Sequence, residues 1–444
     1  MDPCRYNSLF LGTAAALLLP LGLTNLVIDP LGLNYFVTAE FNAIKTELNT
    51  FSAVAKVYAI RRVKPRGIVL GNSRTEGGID PDHPGWSSET RPVYNAAFPG
   101  SNIYMVLQFL EHANEIHHTK QAVIGLDLSM FNVNVPAPAE VVDSVLEDGH
   151  SHRLVPLPFF HHLNTMFAWD TLQLSIRTVQ HQGTRQVYFL PNGRVKPEVF
   201  LKALQDTNGH RGGFQVQDSN YRLYFPLPQG QYAFRDRAGR SSLKHFGQIV
   251  HFAREQGIDL RLFISPSHAR QWEFIRVIGL WPEFEQWKRE LVAILEEDAR
   301  THPGHSPFPL WDFSGYNAIT CEPVPPLGDV TTRMVWYWES SHYTKDLGDL
   351  VLDRMFSRSD AFQRGPKDLG VVLTSKNIDA HQLRLREKQQ EYQQSHPVDV
   401  VEVERLTLAA TESIPHLARP LSLAMVQARR GDMSSLAKSH LEPL

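Results

Sequence analysis

Residues 67–76 read Gly-Ile-Val-Leu-Gly-Asn-Ser-Arg-Thr-Glu. GIVLG at 67–71 is a short apolar run of β type closed by a glycine and a polar turn. A strand with one wet face would alternate; a run without alternation predicts burial on both faces, as in a parallel sheet. The pattern recurs at PVYNAA (92–97), QAVIGLD (121–127) and DLRLFIS (259–265), with PLWDFS (309–314) as the last strand. Helical spacing falls between and around these runs, at 41–62, 102–116, 241–256, 268–279, 282–300 and 344–356. Short apolar strands separated by helices predict an α/β domain whose sheet is covered on both faces.

Residues 130–240 break this rhythm and are read as an inserted cap. Helices are expected at 138–147 and 162–181, followed by the aromatic-rich stretch RGGFQVQDSNYRLYFPLPQGQY. Its Tyr221, Tyr224, Phe225, Tyr232 and Phe234 have the faces to stack on sugar rings, but a hairpin packing on the core is the expectation. From about Ser375 the chain turns polar, and QLRLREKQQEYQQ is expected to form a solvated helix outside the catalytic core. The expected organisation is a membrane anchor at 1–30, an α/β domain at 31–358 and a polar C-terminal tail at 359–444.

With 444 residues, 42% of them hydrophobic, the chain can build a sizeable core. Lys+Arg 44 against Asp+Glu 47 leaves no basic excess, so no nucleic-acid partner is expected. Cys4 and Cys321 are the only cysteines, which excludes a disulfide scaffold and C-x-x-C sites. Between Tyr6 and Ile28 no residue is charged, and SLFLGTAAALLLPLGLTNLVI (residues 8–28) is long enough for a bilayer core, which needs ~20 residues. LTNLVIDPLG offers no small-residue cleavage site, so an uncleaved anchor is read rather than a signal peptide. Arg5 precedes the run, which favours a cytoplasmic N-terminus and places the rest of the chain in the periplasm or outside. The expected location is therefore the inner membrane, crossed once.

Chemistry gathers at the strand ends, where open α/β sheets bind ligands. The first strand leads into Asn72-Ser73-Arg74: a serine on a Gly-containing strand-to-helix turn is placed as a nucleophile, and equally as a helix N-cap. After the second strand, Gly100 and Asn102 offer an amide N–H and a side-chain donor to an oxyanion; otherwise this is a Pro-Gly turn with Ser101 capping a helix. The third strand ends in Gly125-Leu126-Asp127. Glu339-Ser340-Ser341-His342 places a histidine three residues after a carboxylate, which can hold the imidazole in the tautomer that takes a proton from serine. Either Glu339 or Asp312 can be that carboxylate.

The order G-N-S, Y-N-x-x-x-x-G, G-L-D and E-S-S-H resembles the SGNH hydrolase superfamily, and more narrowly its membrane-anchored members similar to the alginate O-acetylation proteins AlgJ and AlgX. The resemblance runs from about Gly67 to Met355. It implies a three-layer, flavodoxin-like sandwich and ester chemistry on an acyl group. Carried over, Ser73 is the nucleophile, His342 the base and Glu339 its orienting acid. Gly100 is the second-block glycine of the oxyanion hole; the strand-end reading adds the Ser73 amide and Asn102 as expected oxyanion donors, and Arg74, Asp127 and His268 as expected pocket residues. Two positions depart from the family pattern: Asn72 stands where G-D-S has Asp, and Asp127 where G-x-N-D has Asn. An ionised carboxylate cannot donate to an oxyanion. Either Asn102 takes that role, Asp127 points elsewhere, or the chain is a non-hydrolytic member.

Other features read more plainly. His150, His152, His161 and His162 lack an i, i+4 pair and supporting carboxylates, so no metal is expected, nor any other cofactor. Ser267 is expected to cap the helix at 268–279. The function these readings imply is a membrane-anchored serine esterase or O-acyltransferase. Its expected partners are an exported polysaccharide or envelope glycan, the membrane through residues 8–28, and a membrane-bound acyl donor protein. The alternative is a non-catalytic envelope assembly or glycan-binding protein on the same scaffold, and Asp127 is the residue that argues for it.

Overall fold

A computed structural model describes residues 3–33, 37–49, 52–135, 166–183, 188–225, 232–356, 365–366 and 368–408. The expected helix at 138–147 and the four-histidine cluster lie outside them. The chain divides into two compact units, residues 1–62 with 139–189, and residues 63–138 with 190–444.

In the first unit, α1 (Pro3–Ile28) is one helix, apolar and long enough to cross a membrane. Its last turn carries a polar lock. Asn42 Nδ2 donates to the carbonyl of Val27 at 2.7 Å and Lys45 Nζ to that of Ile28 at 2.6 Å. Both satisfy carbonyls that a helix C-terminus leaves without an internal partner. Asn25, the polar residue of the apolar run, is also accounted for: it donates to the carbonyls of Met166 and Ala168 and accepts from Ser175 Oγ at 2.9 Å. Ser175 lies on α5 (Trp169–Gln180), the described part of the helix expected at 162–181. The helix expected at 41–62 is instead a 3₁₀ turn at Thr46–Asn49 followed by α2 (Ser52–Val63).

The second unit holds a six-stranded sheet: β1 (Gly67–Leu70), β2 (Val93–Asn95), β3 (Gln121–Leu126), β4 (Asp259–Ile264), β5 (Leu310–Asp312) and β6 (Val371–Val372). The order is β2-β1-β3-β4-β5-β6, parallel except for β6. Register pairs Val69 with Asn95 and with Val123, and Ile264 with Asp312, so the carboxyl ends of the parallel strands form one edge. The burial of β1 and β3 is continuous, which is why neither alternates in sequence. On one face Val69, Val123, Phe263 and Phe313 pack with Leu347, Val351 and Leu352 of α11 (Lys345–Phe356). Helix α8 (Ser242–Glu255) packs on α4 (Ile103–Ile116) and on α10 (Trp281–Thr301); α4 contacts β1 and α8 contacts β4.

Three sequence expectations change here. The first part of the aromatic stretch is helical, not a hairpin strand: α7 (His210–Asn220) runs into a 3₁₀ turn at Tyr221–Leu223, and residues 226–231 lie outside the described residues. Its Gln217, Asp218 and Asn220 are buried polar residues, so the apolar periodicity that marks a helix is missing. α9 (Ala269–Val277) is capped by His268 rather than Ser267. The C-terminal helices α12 (Ile378–Ser395) and α13 (Pro397–Leu408) are not solvated outriders. Tyr392 is buried against Tyr316, and Arg270, wholly buried, pairs with Asp399 at 3.0 Å and Glu402 at 2.6 Å. Charged residues on these helices answer buried charges on the sheet domain, a use of charge that composition alone cannot distinguish from solvation.

Candidate active site

The turn after β1 is built for close approach. A Cβ on Gly71, whose φ is +147°, would lie 2.5 Å from Thr75 Oγ1 and 3.0 Å from the carbonyl of Gly125 on β3. The chain then enters α3 (Ser73–Gly78), and Asn72 caps it: its Oδ1 accepts from the N–H of Arg74 at 3.0 Å. With the cap supplied by Asn72, the Ser73 hydroxyl is left for another partner. His342 Nε2 lies 2.8 Å from Ser73 Oγ, across 269 residues of sequence. Glu339 Oε1 holds His342 Nδ1 and accepts from the His342 N–H at 3.1 Å, while its Oε2 accepts from the Ser341 N–H at 2.6 Å. The carboxylate is thus fixed by backbone donors and fixes the ring in turn. With Nδ1–H given to Glu339, Nε2 is the bare nitrogen facing the serine.

Asp312 is not the orienting acid. It accepts from Lys288 Nζ at 2.7 Å, His381 Nε2 at 2.8 Å and Ser314 Oγ at 2.5 Å, elsewhere in the core.

Ser73, His342, Gly100, Asn102 and Arg74 line one cleft, together with Ser101, Ser129, Gln217 and Tyr224 among others. Gly100 turns the chain at φ +76°, a left-handed conformation that favours glycine. Among the described residues, none accepts a hydrogen bond from the N–H of Ser73 or of Gly100. Asn102, not Ser101, caps α4: its Oδ1 accepts from Met105 N–H at 3.0 Å. The group that remains to face the cleft is its Nδ2, a donor.

Asp127 is not a cleft residue; it lies beneath, fully engaged. Its Oδ1 pairs with Arg74 Nη1 at 2.9 Å, and its Oδ2 accepts from Asn72 Nδ2 at 2.9 Å and Ser265 Oγ at 3.1 Å. Asn72 and Asp127 therefore face each other in direct contact, and the carboxylate is neutralised by the arginine that follows Ser73. Burial works against the Arg74 charge, but Asp127 keeps its pKa above the ordinary guanidinium value. Arg74 also donates Nε to Ser341 Oγ and Nη2 to Gln271 Oε1, each at 2.8 Å, tying the turn that carries Ser73 to the histidine loop.

His268 does not reach the cleft either. Its Nδ1 accepts from Arg270 N–H at 3.3 Å and its Nε2 bonds the Glu322 carbonyl at 2.8 Å. Burial drives its pKa down to about 4, so it sits neutral as a structural cap.

Two sets of supporting residues escaped the sequence reading. Asn95 Nδ2 donates to the carbonyls of Thr75 and Ile79 at 3.1 and 3.0 Å, pinning α3 to the end of β2. Under the histidine loop, Tyr221 Oη donates to Ser340 Oγ at 3.0 Å, Ser340 Oγ to Asp218 Oδ1 at 2.6 Å, and Arg270 to Asp218 Oδ2 at 2.6 Å. Burial raises the Asp218 pKa despite Arg270 beside it. The signal for this network was the polar residues of α7 at helical spacing, which the hairpin reading hid.

Neither a family model, nor a curated protein, nor a solved structure matches this chain. What it does is therefore argued from the site.

Proposed function

We propose that the chain is a membrane-anchored serine esterase or O-acyltransferase of SGNH type, acting on acyl esters, acetyl foremost, of an exported polysaccharide or cell-envelope glycan. The observation that carries the reading is the relay from Ser73 Oγ through His342 Nε2, at 2.8 Å, to Glu339 on Nδ1. The strand order β2-β1-β3-β4-β5 supports it: this is the flavodoxin-like doubly wound order, with its crevice between the ends of β1 and β3, beside Ser73. α1 supports anchoring in the inner membrane; the reading puts the site on the periplasmic or outer side, with a membrane-bound acyl donor protein as a partner.

In this mechanism His342 Nε2 takes the Ser73 proton as Oγ attacks the ester carbonyl carbon. Glu339 stabilises the imidazolium that forms. The Ser73 and Gly100 amides and Asn102 Nδ2 hold the tetrahedral oxyanion. Collapse breaks the ester C–O bond, and His342 returns its proton to the departing alkoxide. Water or a sugar hydroxyl then gives its proton to His342 and attacks the acyl carbon; the bond to Ser73 Oγ breaks, and His342 returns that proton to Ser73. Asp127, carrying its own arginine, need not oppose the oxyanion.

The test is covalent labelling with a fluorophosphonate. The wild-type chain should be labelled, Ser73→Ala should not, and wild type no more reactive than Ser73→Ala would end the reading.

A further inference from the structure

On the face of the domain formed by α8 and α10, three side chains with metal-binding donors converge. His251 comes from α8, Asp298 from the last turn of α10, and His302 follows that helix by one residue. One donor atom from each lies within 4.8 Å of the others. Asp298 and His302 are four residues apart, and His251 joins them from the neighbouring helix.

What distinguishes the group is how its remaining atoms are held. His302 Nδ1 bonds the carbonyl of Asp298 at 2.7 Å and lies 3.4 Å from Asp298 Oδ1, leaving Nε2. His251 Nε2 lies 3.2 Å from Glu255 Oε1, leaving Nδ1. Asp298 Oδ2 accepts from Arg254 Nε and Nη2 at 2.9 and 2.8 Å, leaving Oδ1 as the freer oxygen. A metal-bound imidazole usually gives its second nitrogen to a carbonyl or a carboxylate, which sets the tautomer and the ring orientation. Both arrangements are present here, one on each histidine.

We propose that His251, Asp298 and His302 bind a zinc ion. Two imidazoles and one carboxylate are borderline donors suited to zinc, and a fourth, open position would hold water. Neighbouring donors of a tetrahedral zinc lie about 3.4 Å apart, given bonds of ~2.0–2.1 Å. The set must therefore close by about an ångström. His251, 60% exposed, has the freedom to make that movement, while Asp298, 8% exposed, is fixed by Arg254. The Arg254 charge opposes a cation, and Asp298 and Glu255 outweigh it. The ion would brace α8 against α10 beside the buried Arg254–Asp298 ion pair that already joins them.

The test uses the full-length protein in detergent, stripped with a chelator and titrated with Zn²⁺ in a calorimeter. One equivalent should bind to the wild type and be lost in His251→Ala and in His302→Ala. Glu255→Gln should weaken binding about 10- to 100-fold, since it removes the support of a ligand and not the ligand. Saturating Zn²⁺ should raise the melting temperature of the wild type by a few degrees and leave both alanine variants where they melt without metal. No binding by the wild type overturns the proposal. So does an equivalent retained in both alanine variants, because the zinc would then sit at other residues.

Discussion

Two clusters in this domain are made from the same side chains, a serine, a histidine and a carboxylate. In one, Ser73, His342 and Glu339 form a line, with histidine in the middle and serine at the open end. In the other, Asp312 sits at the centre, and Ser314, His381 and Lys288 all donate to it. Lys288 and Asp312 side chains are fully buried there. Burial lowers the Lys288 pKa, and although burial opposes the Asp312 charge, Lys288 and His381 hold that carboxylate well below its usual range. The first arrangement leaves a hydroxyl with a base on its proton and a cleft before it. The second uses every donor to neutralise one buried charge and ties α12 to β5. Connectivity, not composition, separates a candidate catalytic relay from a brace.

Breaking each cluster should separate them most sharply. For the relay, Ser73→Ala and His342→Ala should each lower turnover of a model ester by roughly 10⁴-fold or more, and the double mutant should lose little beyond either. If the single losses multiply, the two do not act as one unit. For the brace, Asp312→Ala strands a buried ammonium and should cost about 3–5 kcal/mol in denaturant unfolding. Fluorophosphonate labelling of Ser73 in the folded fraction should be unchanged; a parallel loss of labelling would join the two clusters.

Finer tests act beneath and beside the relay. Asp127→Asn leaves Arg74 without its carboxylate and should destabilise by about 3 kcal/mol. Adding Asn72→Asp returns a carboxylate to the same contact and should recover at least half of that loss; no recovery would show that the exchange is not a matched pair. Asn102→Asp keeps the acceptor that caps α4 and removes the donor to the cleft. It should slow ester turnover by roughly 10²-fold with unchanged stability. An unaltered rate would leave the backbone amides as the whole oxyanion site.

The smallest effect concerns His268. Its folded pKa of about 4 lies below the unfolded value of 6.5, so the unfolded chain binds the proton first. Its contribution is complete above the unfolded pKa and is lost as pH falls toward the folded one. The wild type should lose about 2 kcal/mol from this group between about pH 6.5 and about pH 5. His268→Asn keeps an N-cap and should flatten that part of the stability curve. An unchanged slope would assign it to other groups.

Much of this was legible from sequence. β1 and β3 announced themselves as apolar runs, because burial on both faces removes alternation, and β4 does so only in its second half, past the exposed Asp259. Ser73 and Gly100 followed predicted strands, His342 preceded a predicted helix, and the three meet in one cleft. The parts that were not legible share a cause. Asn72 and Asp127 look like two separate defects until the turn after β1 and the end of β3 are side by side. Asp399 and Glu402 look like solvated charges until Arg270 is found buried beneath them. Partners of a buried charge are set by the fold and leave no periodicity of their own. β6, two residues long, is too short to leave one either.

The docking of α13 also has a consequence for the order in which the site is made. A ribosome delivers Ser73, Glu339 and His342 well before Asp399 and Glu402. Until those two emerge, Arg270 has only Asp218 to face, and Arg211 lacks the carboxylates it bonds at 3.1 and 2.8 Å. The floor under the histidine loop is therefore among the last parts to be assembled. A growing chain carries all three relay residues before it can hold them with their full support.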